Sequence, residues 1–450
     1  MRPSFLSLAI VMKIAECLKC LIQALSRNEP EEVIKRLAVG CDAYRFYLIF
    51  GGNFLWRMLN GIPAGHLQLD HLVLEEGVAR AVLRAPEIGK WSTVWLKQTD
   101  EVWQVTAAYP CRPEELAEDG QLPDELRDLL CGKISFRIDC QDAGLTRFLN
   151  DVYGEWKRTN SSTQAFDKSS IFDITDHLWT RRTLWNDLRQ MGYDAALFRT
   201  TMNNNVYVCS DGFGSRRVAV KMLHNTRPEM KEKFLNEIKI LESLRHHPSV
   251  PRILFSATAN GYPYFGCEWA TGKLLEEEIL ESPDWNLHER VQIMMNVARV
   301  IRDFRRCNVI HRDVATDHIF VRGNFELSVI DFGMSSFLHQ LSAEKYEAAH
   351  RNELRNFGLI MCYLLIEEPR LSFGSPEMCL NAWDEAIARL RTLTVTPELI
   401  RIIERTVAID PACSLITRND EPPYSTVEEI FMALEHVADV LEVESSDAVA

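Results

Sequence analysis

Two acidic residues, eighteen positions apart, lie in short segments that could accept a proton and bind a metal–phosphate group. Asp313 ends the segment Val309–Asp313, which reads V-I-H-R-D, and Asp331 begins the tripeptide D-F-G. A carboxylate at the first position can accept the proton of a hydroxyl nucleophile. A carboxylate at the second can hold a divalent cation against phosphate oxygens. Together, such a base and such a metal ligand could carry out phosphoryl transfer to a hydroxyl.

Two charged residues upstream could complete such a site. Lys221 follows the apolar run Val218–Val220, which predicts a strand ending in a lysine. Glu237 comes sixteen residues later in F-L-N-E-I, a helical pattern. The order predicts a helix that brings the Glu237 carboxylate to the Lys221 ammonium.

These four segments, in this order, resemble the eukaryotic-like protein kinase family. The resemblance covers residues 171–440 and implies a bilobal α+β fold, with an N-lobe to about 268 and a C-lobe over 274–440. It implies that Lys221 pairs ATP phosphates, that Glu237 holds Lys221, that Asp313 is the base and that Asp331 binds Mg²⁺ or Mn²⁺. Further on, Glu353 stands where the family has an aspartate at the start of a core helix.

The resemblance also implies which residues bind the nucleotide. Backbone groups from Glu268 to Ala270 would pair with adenine, with Cys267 at the back of that pocket. Asn204 falls at the last of three positions where the family has glycine, and Val206 lies on the strand that follows. Arginine and threonine occupy the other two positions, so close wrapping of phosphates by the backbone is reduced.

His318 stands where the family has a metal-binding asparagine, five residues after the base. It offers nitrogen, which Mg²⁺ accepts less readily than oxygen. Lipopolysaccharide kinases of this broad fold carry a similar histidine. The residues leave two roles open for His318, metal contact and core packing.

The segment between Gly333 and Glu353 has only nineteen residues and lacks the family's A-P-E motif. In protein kinases this segment forms much of the peptide-binding platform. Three interpretations follow. The first is an ATP-dependent kinase acting on protein, at serine or threonine; the second is a catalytically impaired pseudokinase that senses nucleotide or binds partners. The third is a small-molecule or glycan kinase.

The charge balance argues against nucleic acid as a partner. The 450-residue chain carries a net charge of −14. Residues 1–156 have 17 basic and 22 acidic side chains, and the rest have 33 and 42. Binding to a nucleic acid backbone needs clustered lysine and arginine. The partner expected is a protein substrate or a protein ligand.

The cysteine distribution and the hydropathy of the chain indicate its cellular compartment. The twelve cysteines are spread through apolar segments, a pattern typical of reduced thiols. Cys17 and Cys20 form a C-x-x-C in a helical pattern and are interpreted as two helix cysteines. The apolar stretch 5–12 is too short to span a bilayer and favours an amphipathic helix over a signal peptide. We therefore expect a cytoplasmic protein with no membrane span.

The chain is predicted to have four parts. Residues 1–156 form a smaller α+β domain, 157–170 a polar linker, 171–440 the kinase-like domain and 441–450 a tail. The first domain reads as helices over 8–38 followed by strands at His66–Leu74, Val78–Ala85, Thr93–Lys97 and Val102–Ala108, with acidic helices such as Pro123–Leu130 after them.

This order of helices and strands resembles the SnoaL-like, nuclear-transport-factor-two superfamily, in which a curved sheet packs on helices. The resemblance covers about residues 8–110 and rests on architecture alone. It implies two roles for the domain, homodimerisation and ligand binding, and the residues do not decide between them.

Overall fold

The computed structural model describes residues 8–111, 138, 142–160, 168–200, 204–211, 214, 216–224, 227–281, 284–367, 386, 388–393, 395–407 and 422–447. The chain divides into two compact units. Unit 1 comprises Met1–Thr200 with Ala259–Gly261, and unit 2 comprises Thr201–Thr258 with Tyr262–Ala450.

Unit 1 combines helices with an antiparallel meander sheet. Its described helices are α1 Leu8–Arg27, α2 Pro30–Arg36, α3 Asp42–Phe50, α4 Gly52–Met58, α5 Ala143–Asn160 and α6 Lys168–Gln190. Its described strands are β1 Gln68–Glu75, β2 Val78–Ala85, β3 Lys90–Thr99, β4 Val102–Pro110 and β5 Tyr193–Thr200. The first four pair in the order β1-β2-β3-β4.

One face of this sheet supplies the core of unit 1. Alternate residues of β2, such as Ala79, Ala81 and Leu83, are fully buried, as the two-residue period of a strand requires. The helix α1 packs on β4, where the Cys17 thiol donates to the carbonyl of Trp103 at 3.0 Å. The predicted order of helices followed by strands is therefore present in unit 1.

Three details of unit 1 differ from the prediction. Helix α5 runs through Asn160 and α6 begins at Lys168, so both ends of the predicted linker 157–170 are helical. Within α5, Trp156 stacks on Tyr153, with ring centroids 6.5 Å apart. His66 lies in a 3₁₀ turn before β1 and contacts Glu87 instead of joining the strand.

Unit 2 begins with strands and continues with helices. Its described strands are β6 Asn204–Asp211, β7 Arg217–Leu223, β8 Ile253–Ala259, β9 Tyr262–Glu268, β10 Lys273–Leu274, β11 Val309–Ile310, β12 Ile319–Val321, β13 Leu327–Val329 and β14 Ser336–Phe337. Its described helices are α7 Pro228–Ser243, α8 Leu275–Leu280, α9 Leu287–Arg306, α10 Ala343–Ile366, α11 Pro397–Val407 and α12 Val427–Asp447.

The strands of unit 2 form three groups. Strands β6, β7, β9 and β8 lie side by side in that order, β12 lies between β10 and β13, and β11 pairs with β14. Helix α9 starts at a capping box made by Asn286 and Glu289, which satisfies two backbone donors. Its apolar face and most of α10 after Glu353 are buried in one core.

A sheet-rich part thus precedes a helical part, and a smaller unit comes before both in the chain. The predicted α+β fold class, with a kinase-like fold preceded by a smaller domain, is confirmed. No helix among the described residues is long and apolar enough to cross a membrane.

Two predictions in unit 2 need correction. Asn204, placed by the resemblance at the last glycine position before a strand, is itself the first residue of β6, because its backbone pairs with Leu223. The predicted tail 441–450 is helical as far as Asp447. The predicted helix Pro123–Leu130 lies outside the described residues, as do 201–203.

Candidate active site

The centre of the site is a buried ion pair between a strand and a helix. Lys221 lies on β7, between Val206 of β6 and Phe265 of β9. Its ammonium donates to both carboxylate oxygens of Glu237 on α7, at 2.8 and 3.0 Å. The Glu237 side chain is 3% exposed. The structure therefore brings together the lysine and the glutamate that the sequence pattern selected.

Asp331 contacts the same lysine. Its Oδ1 lies 2.8 Å from Nζ of Lys221. The residue adopts a left-handed conformation, with φ 61°, and accepts the N–H of Gly333 at 3.3 Å. A Cβ on Gly333 would approach that carboxylate oxygen to 3.1 Å, so glycine suits this close turn.

The charged side chains of this cluster shift each other's pKa values. Burial lowers the pKa of Lys221, but the carboxylates of Glu237 and Asp331 outweigh it and raise that pKa above its usual range. Burial raises the pKa of Asp331, but the Lys221 ammonium overcomes it and holds that pKa well below its usual range. Both groups are therefore charged at neutral pH.

An aromatic cluster fixes the backbone that carries Asp331. Phe332 is 1% exposed and lies 5.5 Å from Phe304 and 4.7 Å from the ring of His311, between ring centroids. Nε2 of His311 donates to the carbonyl of Ile330 at 3.2 Å. Burial lowers the pKa of His311 to about 4, so its ring is neutral. With Phe332 in the core, Asp331 turns toward Lys221.

The segment before Asp313 is held by a buried carboxylate. Glu353, on α10, is 1% exposed and accepts the backbone N–H groups of His311 at 2.8 Å and Arg312 at 3.3 Å. Its other oxygen accepts Nε and Nη2 of Arg305 at 2.9 and 2.7 Å. Arg312 has a φ of 68°, a conformation that needs such support. The sequence pattern located Glu353 but carried no signal for Arg305, 48 residues away.

Asp313 and His318 lie beside this cluster. The Asp313 side chain is 45% exposed, as a base that must reach a substrate requires. Nδ1 of His318 lies 2.9 Å from the carbonyl oxygen of Asp313, and Nε2 lies 3.9 Å from Oδ2 of Asp331. His318 is therefore placed between the candidate base and the candidate metal ligand.

The residues expected to hold nucleotide lie on the neighbouring strands and the segment after them. The N–H of Glu268 donates to the carbonyl of Arg252 at 2.9 Å, so this N–H is not available to adenine. The Cys267 thiol donates to the carbonyl of Ala219 at 3.6 Å. Ala270 is half-buried beyond the end of β9, and Val206 lies on β6 beside Lys221. The backbone of Asn204 lies on β6, opposite Leu223 of β7.

The residues that form this site lie in a segment whose sequence is similar to known protein kinases. Residues 195–356 match the family described as protein tyrosine and serine/threonine kinase. A leaf rust 10 disease-resistance locus receptor-like protein kinase-like 1.2 of Arabidopsis thaliana is 23% identical over 39% of this chain and 30% of its own length. The tyrosine-protein kinase SPK-1 of Girardia tigrina is 31% identical over 27% of this chain and 25% of its own length.

The probable serine/threonine-protein kinase DDB_G0271682 of Dictyostelium discoideum is 28% identical over 29% of this chain and 13% of its own length. The chain spans about a third or less of the length of these relatives. The matched residues contain Lys221, Glu237, Asp313 and Asp331, the four charged groups of the site. This part of the chain is therefore similar to protein tyrosine and serine/threonine kinases.

Proposed function

We propose that this protein is an ATP-dependent phosphotransferase that moves the γ-phosphate of ATP to a serine or threonine hydroxyl on a protein. The observation that carries the proposal is the position of Lys221, which contacts Glu237 and Asp331 at once. A kinase requires both the lysine–glutamate pair and the metal-binding aspartate in place. Because the lysine–glutamate pair and the aspartate lie in one cluster, we favour a catalytically active kinase over a pseudokinase scaffold.

Each residue has a defined task in this proposal. The Lys221 ammonium binds ATP phosphates, and Glu237 fixes its direction. Asp313 orients the acceptor hydroxyl and takes its proton as the new oxygen–phosphorus bond forms. The bond to the β-phosphate oxygen breaks, and that oxygen keeps the electron pair. Alignment by positioned side chains is the main source of rate in such transfers.

The donor set fits a divalent cation. The Lys221 ammonium engages Oδ1 of Asp331, while Oδ2 faces His318. A carboxylate oxygen is a preferred ligand of Mg²⁺ and Mn²⁺. A bound cation would neutralise part of the negative charge of the phosphates. Asp331 and His318 would hold it, and adenine would contact the backbone near Glu268 and Ala270.

The test is γ-phosphate transfer from labelled ATP, with Mg²⁺ and then Mn²⁺, comparing wild type with Asp313→Asn and Asp331→Asn. Removing a general base lowers a rate by ~10²–10⁴-fold. We expect both variants to lose transfer, whereas Asp303→Asn on α9 keeps it. Absence of transfer from the wild type with either metal would favour the pseudokinase. ATP turnover without protein labelling would favour a small-molecule or glycan kinase.

The N-terminal unit carries separate proposals. We propose that it is SnoaL-like and that it forms a homodimer in a cytoplasmic protein. Its helices and four-stranded meander support the likeness. The exposed apolar side chains of Val73, Val78 and Val102 on that sheet support self-association. Light scattering of the full chain tests this, since a monomer at micromolar concentration would rule the dimer out.

A further inference from the structure

A recess of about 440 Å³ opens in unit 1, where helix α3 begins beside strands β3 and β4. Its walls include Asp42 at the start of α3, Trp95 on β3, and Thr106, Ala107 and Tyr109 on β4. The volume lies in the range of pockets that take small molecules. Phosphate transfer assigns no task to any of these residues.

The strand register puts the recess on the face of the sheet opposite the core of unit 1. Trp95 pairs directly with Arg80 of β2 and with Ala107 of β4, so these three side chains share one face. The residues that alternate with Arg80 on β2 are buried in the core. The register shifts after Trp95, so Thr106 bulges out of β4 and lines the recess beside Ala107.

Two aromatic rings form one corner of the recess. The ring centroids of Trp95 and Tyr109 lie 5.6 Å apart, and the ring planes cross at 76°. Trp95 is half-buried, whereas Tyr109 is 6% exposed. The face of an aromatic ring carries negative potential and attracts cations, most strongly when the ring is tryptophan. This corner therefore favours a positively charged group over a neutral one.

Asp42 adds a carboxylate that has no direct cationic partner among the described residues. Burial raises the pKa of Asp42, and the attraction of Arg45 does not outweigh it. Arg45 itself pairs with Asp176 at 3.8 Å. Burial and the nearby charge of Asp42 both raise the pKa of Tyr109, as expected where a carboxylate lies close to a phenol. None of the described residues that line the recess is a lysine or an arginine.

We propose that this recess binds a small organic cation, an alkylammonium ion with an apolar or aromatic body. The ammonium group would lie between the Asp42 carboxylate and the ring of Trp95, and the hydroxyl of Thr106 could accept a further N–H bond. The body of the ligand would pack on Ala107 and the exposed side chain of Val78 at the rim.

The choice of an organic cation follows from what each class of ligand would gain. An ammonium ion brings the counter-charge that Asp42 lacks, and the rings replace part of its hydration. An anion is repelled by the carboxylate, and a neutral molecule gains neither interaction. A metal ion has too few ligands here, since among the described residues no three His, Cys, Asp or Glu side chains are grouped to hold one.

The test uses the full chain and three probes of similar shape: phenethylammonium, 2-phenylethanol and 3-phenylpropanoate. Isothermal titration calorimetry gives each Kd. We expect the wild type to bind the ammonium at least about tenfold more tightly than the alcohol, and the carboxylate most weakly. Asp42→Asn should abolish this preference. Asp100→Asn, at an exposed aspartate in the turn between β3 and β4, should keep it.

A second variant, Trp95→Leu, tests the opposite wall and decides the matter if Asp42→Asn does not fold. It removes the ring but keeps an apolar side chain, so it should weaken binding of the ammonium more than that of the alcohol. Equal wild-type affinities for ammonium and alcohol overturn the proposal, as does an ammonium preference that survives both variants. No binding of phenethylammonium up to about 10 mM also overturns it. None of these outcomes depends on phosphate transfer.

Discussion

The carboxylate of Glu353 accepts the backbone N–H of His311 at 2.8 Å, although 42 residues separate them. The bond ties helix α10 to the segment that carries Asp313. Since Glu353 also pairs with Arg305 at the end of α9, one buried carboxylate joins three parts of unit 2. The position of the candidate base thus depends on a residue that touches no substrate.

Glu353→Gln should destabilise the protein by about 3 kcal/mol, because it leaves the Arg305 guanidinium without its buried counter-charge. Urea unfolding measures the loss. Glu347→Gln, an exposed change on the same helix, should cost less than about 0.5 kcal/mol. Equal stability of the two variants would show that the Arg305–Glu353 pair is not a stabilising contact.

Glu237→Gln should lower kcat/KM for ATP about a hundredfold, because Lys221 would lose its anionic anchor and shift toward Asp331. Steady-state kinetics provide the measurement. Glu232→Gln removes a charge from the exposed side of the same helix and should leave kcat/KM unchanged. Activity of Glu237→Gln within threefold of wild type would contradict the role given to the pair.

The neutral, buried His311 makes stability depend on pH. Burial lowers the pKa of this histidine from 6.5 to about 4. Below pH 6.5 the unfolded chain binds a proton that the folded one does not. Stability is therefore full above pH 6.5 and falls progressively toward pH 4, by about 3 kcal/mol in all.

Unfolding free energies measured between pH 7.5 and 4 check this slope. His311→Phe keeps ring contacts with Phe304 and Phe332 and should flatten the slope. His246→Asn should not change it. A slope that is the same in His311→Phe and wild type would assign the pH dependence to other groups.

Thiols whose pKa is raised by desolvation should resist alkylation. Burial raises the pKa of Cys17 to about 11 and that of Cys267 to about 12, so little reactive thiolate forms at neutral pH. Cys307 is exposed. Mass spectrometry after a brief maleimide pulse should find label on Cys307, and on the other two only after unfolding. Rapid native labelling of Cys267 would contradict its raised pKa.

Gly272→Ala should cost about 3 kcal/mol, combining backbone strain with a steric clash. Gly272 has a φ of 100°, and an added Cβ would lie 2.2 Å from the carbonyl oxygen of Val321. Gly261→Ala shares the strain, at φ 82°, but no atom lies within 4 Å of its Cβ. Thermal melting should place Gly272→Ala clearly below Gly261→Ala, and equal melting temperatures would exclude the clash.

Local patterns were enough to locate the elements that carry chemistry. The run Val218–Val220 lies within β7, Glu237 lies on α7, and the predicted strand Val78–Ala85 has the bounds found in the structure. These positions follow from periodicity over a few residues, which short elements with one buried face retain.

Other features depend on contacts distant in sequence. The Lys221–Asp331 pair joins residues 110 positions apart, and no local pattern signals it. Helix α3, Asp42–Phe50, was not predicted, since its many aromatic residues do not favour a helix and tertiary packing decides. The helical ends of the predicted linker were missed for a different reason, because a polar sequence alone does not exclude a helix.

The cluster around Lys221 has a consequence for how ligands would enter. The Lys221 ammonium pairs with the carboxylates of both Glu237 and Asp331, so these three charged groups carry a net charge of minus one. A polyanionic nucleotide alone is repelled by this excess, and a divalent cation cancels it. The two ligands should therefore show reciprocal thermodynamic linkage, each raising the affinity of the other by the same factor.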